Sequence, residues 1–243
     1  MFLLFSLFLL IDWTSADDWP MSSLDYSGSR HQKDSTFRKN NVGFMVEKWF
    51  RPNPIYVLNQ PIIVDDYVYY GDFTGAYAGV NITNGGTIWS VSLIGPVSNG
   101  AFVSGDYMYV CTIAGFCYKL NRFTGSTIWV SGQPNPVWST PLLIGDKLYV
   151  SSNPSEDTVS EIQLRTTCCQ KRASLRVLDE ATGTLITETF WIPNSSFINV
   201  TVPLPNVYDG LGSNTTFQYG PSGAATWGDL TYNPELGLIF AAT

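Results

Sequence analysis

At 243 residues the chain has room for one substantial domain with a real core. Aromatic residues make up 14% and charged residues only 14%, beside 21 Gly and 14 Pro, a balance that points to a β-rich protein with many tight turns rather than solvent-facing helices. The formal net charge of −7, or −6 once Asp12 departs with a leader peptide, excludes a nucleic-acid backbone or an anionic membrane surface as partner.

Residues 1–16, MFLLFSLFLLIDWTSA, hold an apolar run from Phe2 to Ile11 and end in the small residues Thr14, Ser15 and Ala16. This is read as a secretory signal, too short to span a bilayer and lacking the usual basic residue ahead of the run. No later segment reaches the roughly 18 apolar residues that a span requires, so the expectation is a protein that is secreted or lumenal in the secretory pathway. Export gives meaning to four sequons, at Asn81, Asn194, Asn199 and Asn214, as glycosylation sites, although Asn81 lies inside a repeated phrase where it could instead serve a turn. Residues 17–59 follow as a polar leader and closing-strand segment. The only histidine, His31, lies within it and reads as a surface or turn residue.

From residue 60 to 243 the chain repeats itself. PIIVDDYVYYGDFTGAYAGVNITNGGTIWSV begins at Pro61, AFVSGDYMYVCTIAGFCYKLNRFTGSTIWVS at Ala101, and PLLIGDKLYV at Pro141, the last completed by SLRVLDEATGTLITETF from Ser174. Asp66, Asp106 and Asp146 stand forty residues apart, as do Trp89 and Trp129. Each unit holds four short apolar or alternating runs separated by Gly-Asp, Gly and Asn-Gly or Thr-Gly turns, the pattern of an antiparallel four-stranded meander. About forty residues per four-stranded sheet is the size of a propeller blade, and such a sheet survives only by stacking on its neighbours. Blades are therefore predicted at about 60–95, 99–132 and 139–191, with a fourth beginning at 224–243. Trp89 and Trp129 fall in the outermost strands, where an indole can wedge one sheet against the next; the third blade has Thr187 or Phe190 there, so a looser contact is expected. Three and a half blades do not close a ring. The expectation is a fragment or truncated product, the other reading being that a partner supplies the missing blades.

The third unit departs from the forty-residue count. Its Thr182-Gly183 turn arrives 58 residues after Thr124-Gly125, which leaves 18 extra residues between its second and third strands. A second excursion runs from about Ile192 to Gly223. Because strands alternate in direction, the loop between strands two and three and the blade-to-blade crossover emerge at the same end, and long loops grouped on a rigid scaffold are where sites are built. Trp227 stands at the entrance to the fourth inner strand at that end, and Trp138 at the equivalent place in the third unit. Within the first insertion, Cys168 and Cys169 are adjacent. An oxidising compartment would let them bond to each other, although consecutive Cα atoms about 3.8 Å apart make such a bridge strained, or each could pair elsewhere, with Cys111 or Cys117. A two-residue hairpin at Ala114-Gly115 would put Cys111 and Cys117 on opposite sheet faces and keep them from bonding.

PIIVDDYVYYGDFTGAYAGVNITNGGTIW and GDYMYVCTIAGFCYKLNRFTGSTIW resemble the repeat of quinoprotein (PQQ-type) alcohol dehydrogenases. DWPMSSLDYSGSRH resembles the opening of those proteins, GAATWGDLTYNPELGLIFAAT a segment running into a blade start, and CCQKRASLRVLDEATG the polyvinyl-alcohol-dehydrogenase-like branch. The implied fold is an all-β, PQQ-type β-propeller, here incomplete. The family holds pyrroloquinoline quinone and a calcium ion on the axis, the quinone taking a hydride from an alcohol while an aspartate removes the hydroxyl proton. By resemblance Trp227 matches the indole beneath the quinone, Arg172 the arginine before the third strand, and Cys168 and Cys169 the Cys-Cys pair of the polyvinyl-alcohol-dehydrogenase-like branch, all four being candidate cofactor-binding residues. The calcium-ligand glutamate of the family corresponds to Cys168, a poor ligand for a hard cation. Its ligand asparagine and catalytic aspartate correspond to nothing in these 243 residues.

No Gly-x-Ser-x-Gly, phosphate loop or zinc-spaced cluster offers another chemistry. Two functions follow. In one, the chain is the amino-terminal part of a secreted oxidoreductase acting on alcohols when complete, inactive as it stands, with a small-molecule alcohol or quinone as partner. In the other, the fold serves as a non-catalytic extracellular binding or scaffold module.

Overall fold

The protein's structure, a computed structural model, describes residues 18–32, 38–52, 56–132, 135–153, 173–191, 198–202, 215–219 and 229–241, with the backbone alone for 198–202 and 215–219. Three four-stranded antiparallel sheets follow one another in sequence order. The first blade holds β1 (Ile62–Val64), β2 (Tyr67–Gly71), β3 (Ala76–Asn81) and β4 (Thr87–Ser92). The second holds β5 (Phe102–Ser104), β6 (Tyr107–Cys111), β7 (Phe116–Asn121) and β8 (Thr127–Gly132). The third holds β9 (Leu142–Ile144), β10 (Lys147–Ser152), β11 (Ser174–Asp179) and β12 (Leu185–Phe190). A hairpin of β13 (Ile198–Val202) and β14 (Thr215–Tyr219) comes next, then the two inner strands of a fourth blade, β15 (Thr231–Asn233) and β16 (Leu238–Phe240). The only helical turn among the described residues is a 3-10 turn at Val42–Phe44.

The core lies between blades, because each sheet buries both faces. On β6, Met108 and Val110 join Tyr69, Tyr77 and Val97 of the first blade, whereas Tyr109 and Cys111 join Leu142, Leu148 and Leu178 of the third. Period-two alternation of side chains thus sorts one strand between two cores, which is why the middle strands read as nearly continuous apolar runs.

The outer strands work differently. On β4 and β8 one residue is buried and it is the tryptophan. Trp89 donates its indole N–H to the Arg122 carbonyl at 2.8 Å, and Trp129 donates to the Glu180 carbonyl at 2.9 Å, each reaching the next blade. The seat is a glycine. Gly125 and Gly183 hold φ of +73° and +72°, and a Cβ on either would lie 2.6 or 2.7 Å from the indole ring, so both the backbone and the space demand glycine. The turn that presents this glycine is wound by a side chain at its start: Asn121 accepts from the amides of Phe123 and Thr124, and Asp179 from that of Thr182. In the first blade Asn81 accepts from Thr83 and Asn84 in the same way, so its amide is a turn-former.

A third indole belongs to the series. Trp49, in the closing-strand segment, donates to the Ile82 carbonyl at 2.8 Å and covers Gly85, whose φ is +70°. Residues around Trp49 lie in no described sheet, yet they hold the position that an outer strand holds against its neighbour. Among the described residues the third blade has no such wedge: every residue of β12 except the half-buried Glu188 is exposed.

The expectation for Cys111 and Cys117 is corrected. They form a disulfide across directly paired positions of β6 and β7. The hairpin has three loop residues, Ile113, Ala114 and Gly115, closed by the Gly115 amide on the Thr112 carbonyl at 3.0 Å and by Thr112 on the Phe116 carbonyl at 2.8 Å, with Gly115 at φ +81°. One loop residue more than expected moves Cys117 to the other face, where it meets Cys111. Neither is then a partner for Cys168 or Cys169, which lie outside the described residues.

Between the second and third blades, Lys119 pairs with Glu180 at 2.5 Å, and Tyr109 donates its hydroxyl to the same oxygen. Burial pushes the Glu180 carboxyl upward, but the hydrogen bonds from Lys119 and Tyr109 outweigh it and hold the group below its ordinary value.

Two outcomes are expected. Trp129→Ala should cost about 3–5 kcal/mol in urea unfolding, whereas Thr187→Ala on the exposed β12 should stay within about 0.5 kcal/mol. Because the Glu180 pKa is depressed in the folded state, its contribution is present above the unfolded value of about 4.3 and is lost as pH falls through the lower folded value. Glu180→Gln should therefore cost about 1–3 kcal/mol at neutral pH and flatten the acid limb of a melting-temperature profile.

Candidate functional site

Hydrogen bonds place the crossovers and the loops between second and third strands at one end of the blades. Leu93 donates to the Gly75 carbonyl, Ile113 to that of Pro96 and Asn153 to that of Pro136. The two long insertions are rooted at this end together, since the Trp191 amide, at the start of the second, donates to the carbonyl of Ala173, at the close of the first.

The leader crosses the inner edges of the blades. Trp19 exchanges backbone hydrogen bonds with Ile63 of β1, and the Val103 amide of β5 donates to the Pro20 carbonyl. Met21 is buried in the core shared by the second and third blades. Further along, the Tyr26 hydroxyl donates to the Leu143 carbonyl of β9 at 2.8 Å, and the Tyr26 carbonyl accepts from the Tyr232 amide of β15 at 2.7 Å. Inner-strand edges are bare rows of backbone donors and acceptors, and an extended segment laid along them satisfies both partners. The bend that follows is held by Asp25. Its burial raises the carboxyl pKa, but hydrogen bonds from the Ser27 and Ser29 side chains and from the Ser29 amide prevail and bring it to about 2.

Where the blade entrances converge, a polar cavity of about 210 Å³ opens. Leu58 and Gln60 come from the entrance to the first blade, Ser98, Asn99 and Gly100 from the second, Trp138 and Thr140 from the third, Asp229 from the fourth, and Ser22 and Arg30 from the leader. Asp229 ties three elements together: one oxygen accepts the Thr140 amide at 3.1 Å and the other accepts the hydroxyls of Ser22 at 2.7 Å and Ser23 at 3.0 Å. Three other groups on the wall have no partner. The Ser98 hydroxyl, the Asn99 side-chain carbonyl and the Thr140 hydroxyl are all buried without a hydrogen bond. Asn99 spends only its amide nitrogen, on the Val137 carbonyl at 3.1 Å.

The predicted site residues Trp227, Arg172, Cys168 and Cys169 lie outside the described residues, and Trp138, expected at the place in the third unit equivalent to that of Trp227, lines this cavity. So do Asn194 and Asn214, and Asn199 falls on β13, described by its backbone alone. Ser98, Asn99, Thr140, Asp229 and Arg30 are missed by sequence reasoning. A signal for them existed, because Asn59, Asn99 and Ser139 stand forty residues apart just before successive inner strands. A hard cation finds no cage here. No group of three His, Cys, Asp or Glu side chains converges among the described residues, and both Asp229 oxygens are already engaged.

A family model described as the outer membrane protein assembly factor BamB matches residues 74–186. No curated protein sequence matches the chain. Among solved structures, the chain is similar to the quinohemoprotein alcohol dehydrogenase of Comamonas testosteroni at a TM-score of 0.67 and 17% identity, over 92% of this chain and 35% of that one. It is similar to the quinohemoprotein alcohol dehydrogenase ADHIIG of Pseudomonas putida HK5 at 0.69 and 18%, over 92% and 34%. A europium-containing methanol dehydrogenase follows at 0.67 and 16%, over 91% and 41%. The chain thus spans 34% to 41% of the length of these proteins, and its fold is a PQQ-type β-propeller, incomplete in these 243 residues.

Proposed function

We propose that this chain is the amino-terminal part of a secreted PQQ-dependent-dehydrogenase-like propeller of the polyvinyl-alcohol-dehydrogenase-like branch, an oxidoreductase acting on alcohols when complete. The observation that carries the reading is the axial cavity, where four blade entrances and the leader bring a guanidinium, an indole and three unpartnered buried polar groups to one place. Buried polar atoms without partners are uncommon in a folded protein, and three of the residues lining this cavity carry one. The similar dehydrogenases named above, the apolar leader peptide and the CCQKRASLRVLDEATG stretch support the finer reading.

Bound on the axis, pyrroloquinoline quinone would supply a two-electron acceptor for a hydride from an alcohol. This chain would contribute Arg30, whose guanidinium suits a carboxylate, and by resemblance Arg172 and the flat face of Trp227. Asp229 is a structural tie rather than a base, because three donors occupy its two oxygens. The described residues do not fit a calcium ion.

Titrating pyrroloquinoline quinone into the protein, with and without calcium, and following tryptophan fluorescence tests the reading. Saturable quenching in the micromolar range is expected, weakened about tenfold by Arg30→Ala. A flat titration would contradict the quinoprotein reading and leave a non-catalytic propeller.

A further inference from the structure

We infer that Asn81 carries an N-linked glycan in the exported protein, so that one side chain both winds the turn between β3 and β4 and accepts the sugar. The inference rests on the secretion included in the reading above, but not on quinone binding. The sequon is Asn81-Ile82-Thr83, with no proline at its centre. What the structure adds is that the turn uses only half of the amide. Oδ1 accepts the Thr83 amide at 2.8 Å and the Asn84 amide at 3.3 Å, two donors that fix which end of the side chain is oxygen. Nδ2 makes no hydrogen bond to a described residue and is not sealed from solvent, on a residue that is only half-buried.

The same turn occurs in all three described blades, and the comparison separates the two roles. Asn121 begins it in the second blade and Asp179 in the third, so a carboxylate winds it as well as an amide does. Two residues further on, the copies hold Thr83, Phe123 and Ala181. The turn therefore requires no hydroxyl there, and the exposed Thr83 hydroxyl makes no hydrogen bond to a described residue. Asn121 has the nitrogen without the threonine, and Asp179 has no nitrogen to modify. Only the first blade joins an amide that has a spare nitrogen to a threonine the fold does not use.

The transfer takes an oligosaccharide from a polyprenyl diphosphate donor. A bond forms between Nδ2 and the anomeric carbon, the bond from that carbon to the diphosphate oxygen breaks with its electron pair leaving on the diphosphate, and Nδ2 gives up one proton to a base of the transferase. The product is still an amide, so Oδ1 remains an acceptor and both hydrogen bonds of the turn survive the modification. The Ile82 amide donates to the Asp66 carbonyl at 2.9 Å, which joins this turn to the one between β1 and β2. Antiparallel strands put both turns at the end of the blade opposite the crossovers, so the glycan stands away from the cavity at the blade entrances.

The test expresses the whole chain with its own leader in insect cells, collects it from the medium and treats it with peptide N-glycosidase, which leaves aspartate wherever a glycan stood. Peptide mapping is expected to find aspartate at position 81 after treatment and not before it. Asn81→Asp and Thr83→Ala should each lose one glycan's step in gel mobility. Made in bacteria without glycans, Thr83→Ala should melt at the wild-type temperature, whereas Asn81→Ala, which removes the oxygen that winds the turn, should melt lower. An unmodified Asn81 in the secreted chain, a glycan kept at position 81 in Thr83→Ala, or Thr83→Ala melting as low as Asn81→Ala would each overturn the inference. A chain that is secreted without a glycan at Asn81 sinks this inference alone, and a chain that stays in the cytosol sinks the reading of export with it.

Discussion

The structure depends on an indole laid over a glycine. A four-stranded sheet of this size cannot bury its faces alone, so what matters is how firmly each blade is set against the next and at what angle. The core residues between blades supply burial, but burial is non-directional. Direction comes from Trp89 on Gly125 and Trp129 on Gly183, where ring contact and an N–H to a backbone carbonyl fix position and orientation together. The glycine's left-handed backbone and the absence of a Cβ are both needed, which is why the turn is wound so tightly by an Asn or Asp at its start.

That outer constraint has an inner consequence. Blades set against one another in this way bring their entrances together, so Gln60, Asn99, Trp138 and Asp229 meet although they are spread over nearly the whole repeat region. The leader completes the arrangement by running along the inner edges and tying Asp229 through two serine hydroxyls. The cavity that results is polar, walled by backbone-proximal groups and partly unsatisfied, a state the rest of the fold has enough interface to tolerate. The same end roots both long insertions, so the scaffold's rigidity and its variable chain are placed on one rim.

Much of this was legible in the residues. The forty-residue period, the turn chemistry and the Trp89–Trp129 pair define blades, interfaces and the shared end of the insertions. Trp49 escaped notice although it keeps step with Trp89 and Trp129, because nothing else in residues 17–59 repeats and a lone column carries little weight. The Cys111–Cys117 bond was lost to a single loop residue, since strand pairing changes face with every residue and Gly115, rather than the dipeptide Ala114-Gly115, sets the turn. The hydroxyls of Ser98 and Thr140 could not have been singled out, because whether a buried oxygen finds a partner depends on neighbours contributed by other blades.

The seating of the indoles is most directly tested by hydrogen exchange at the tryptophan side chains, read by NMR on a sample with the indole signals resolved. The Nε1–H of Trp89 and Trp129, each buried and bonded to the next blade, should persist in deuterium oxide far longer than the signal of an exposed indole, with Trp49 intermediate. Exchange of Trp89 and Trp129 as fast as a solvent-exposed indole would mean that the blades are not locked by these rings, and the convergence of their entrances on the axis would lose its cause.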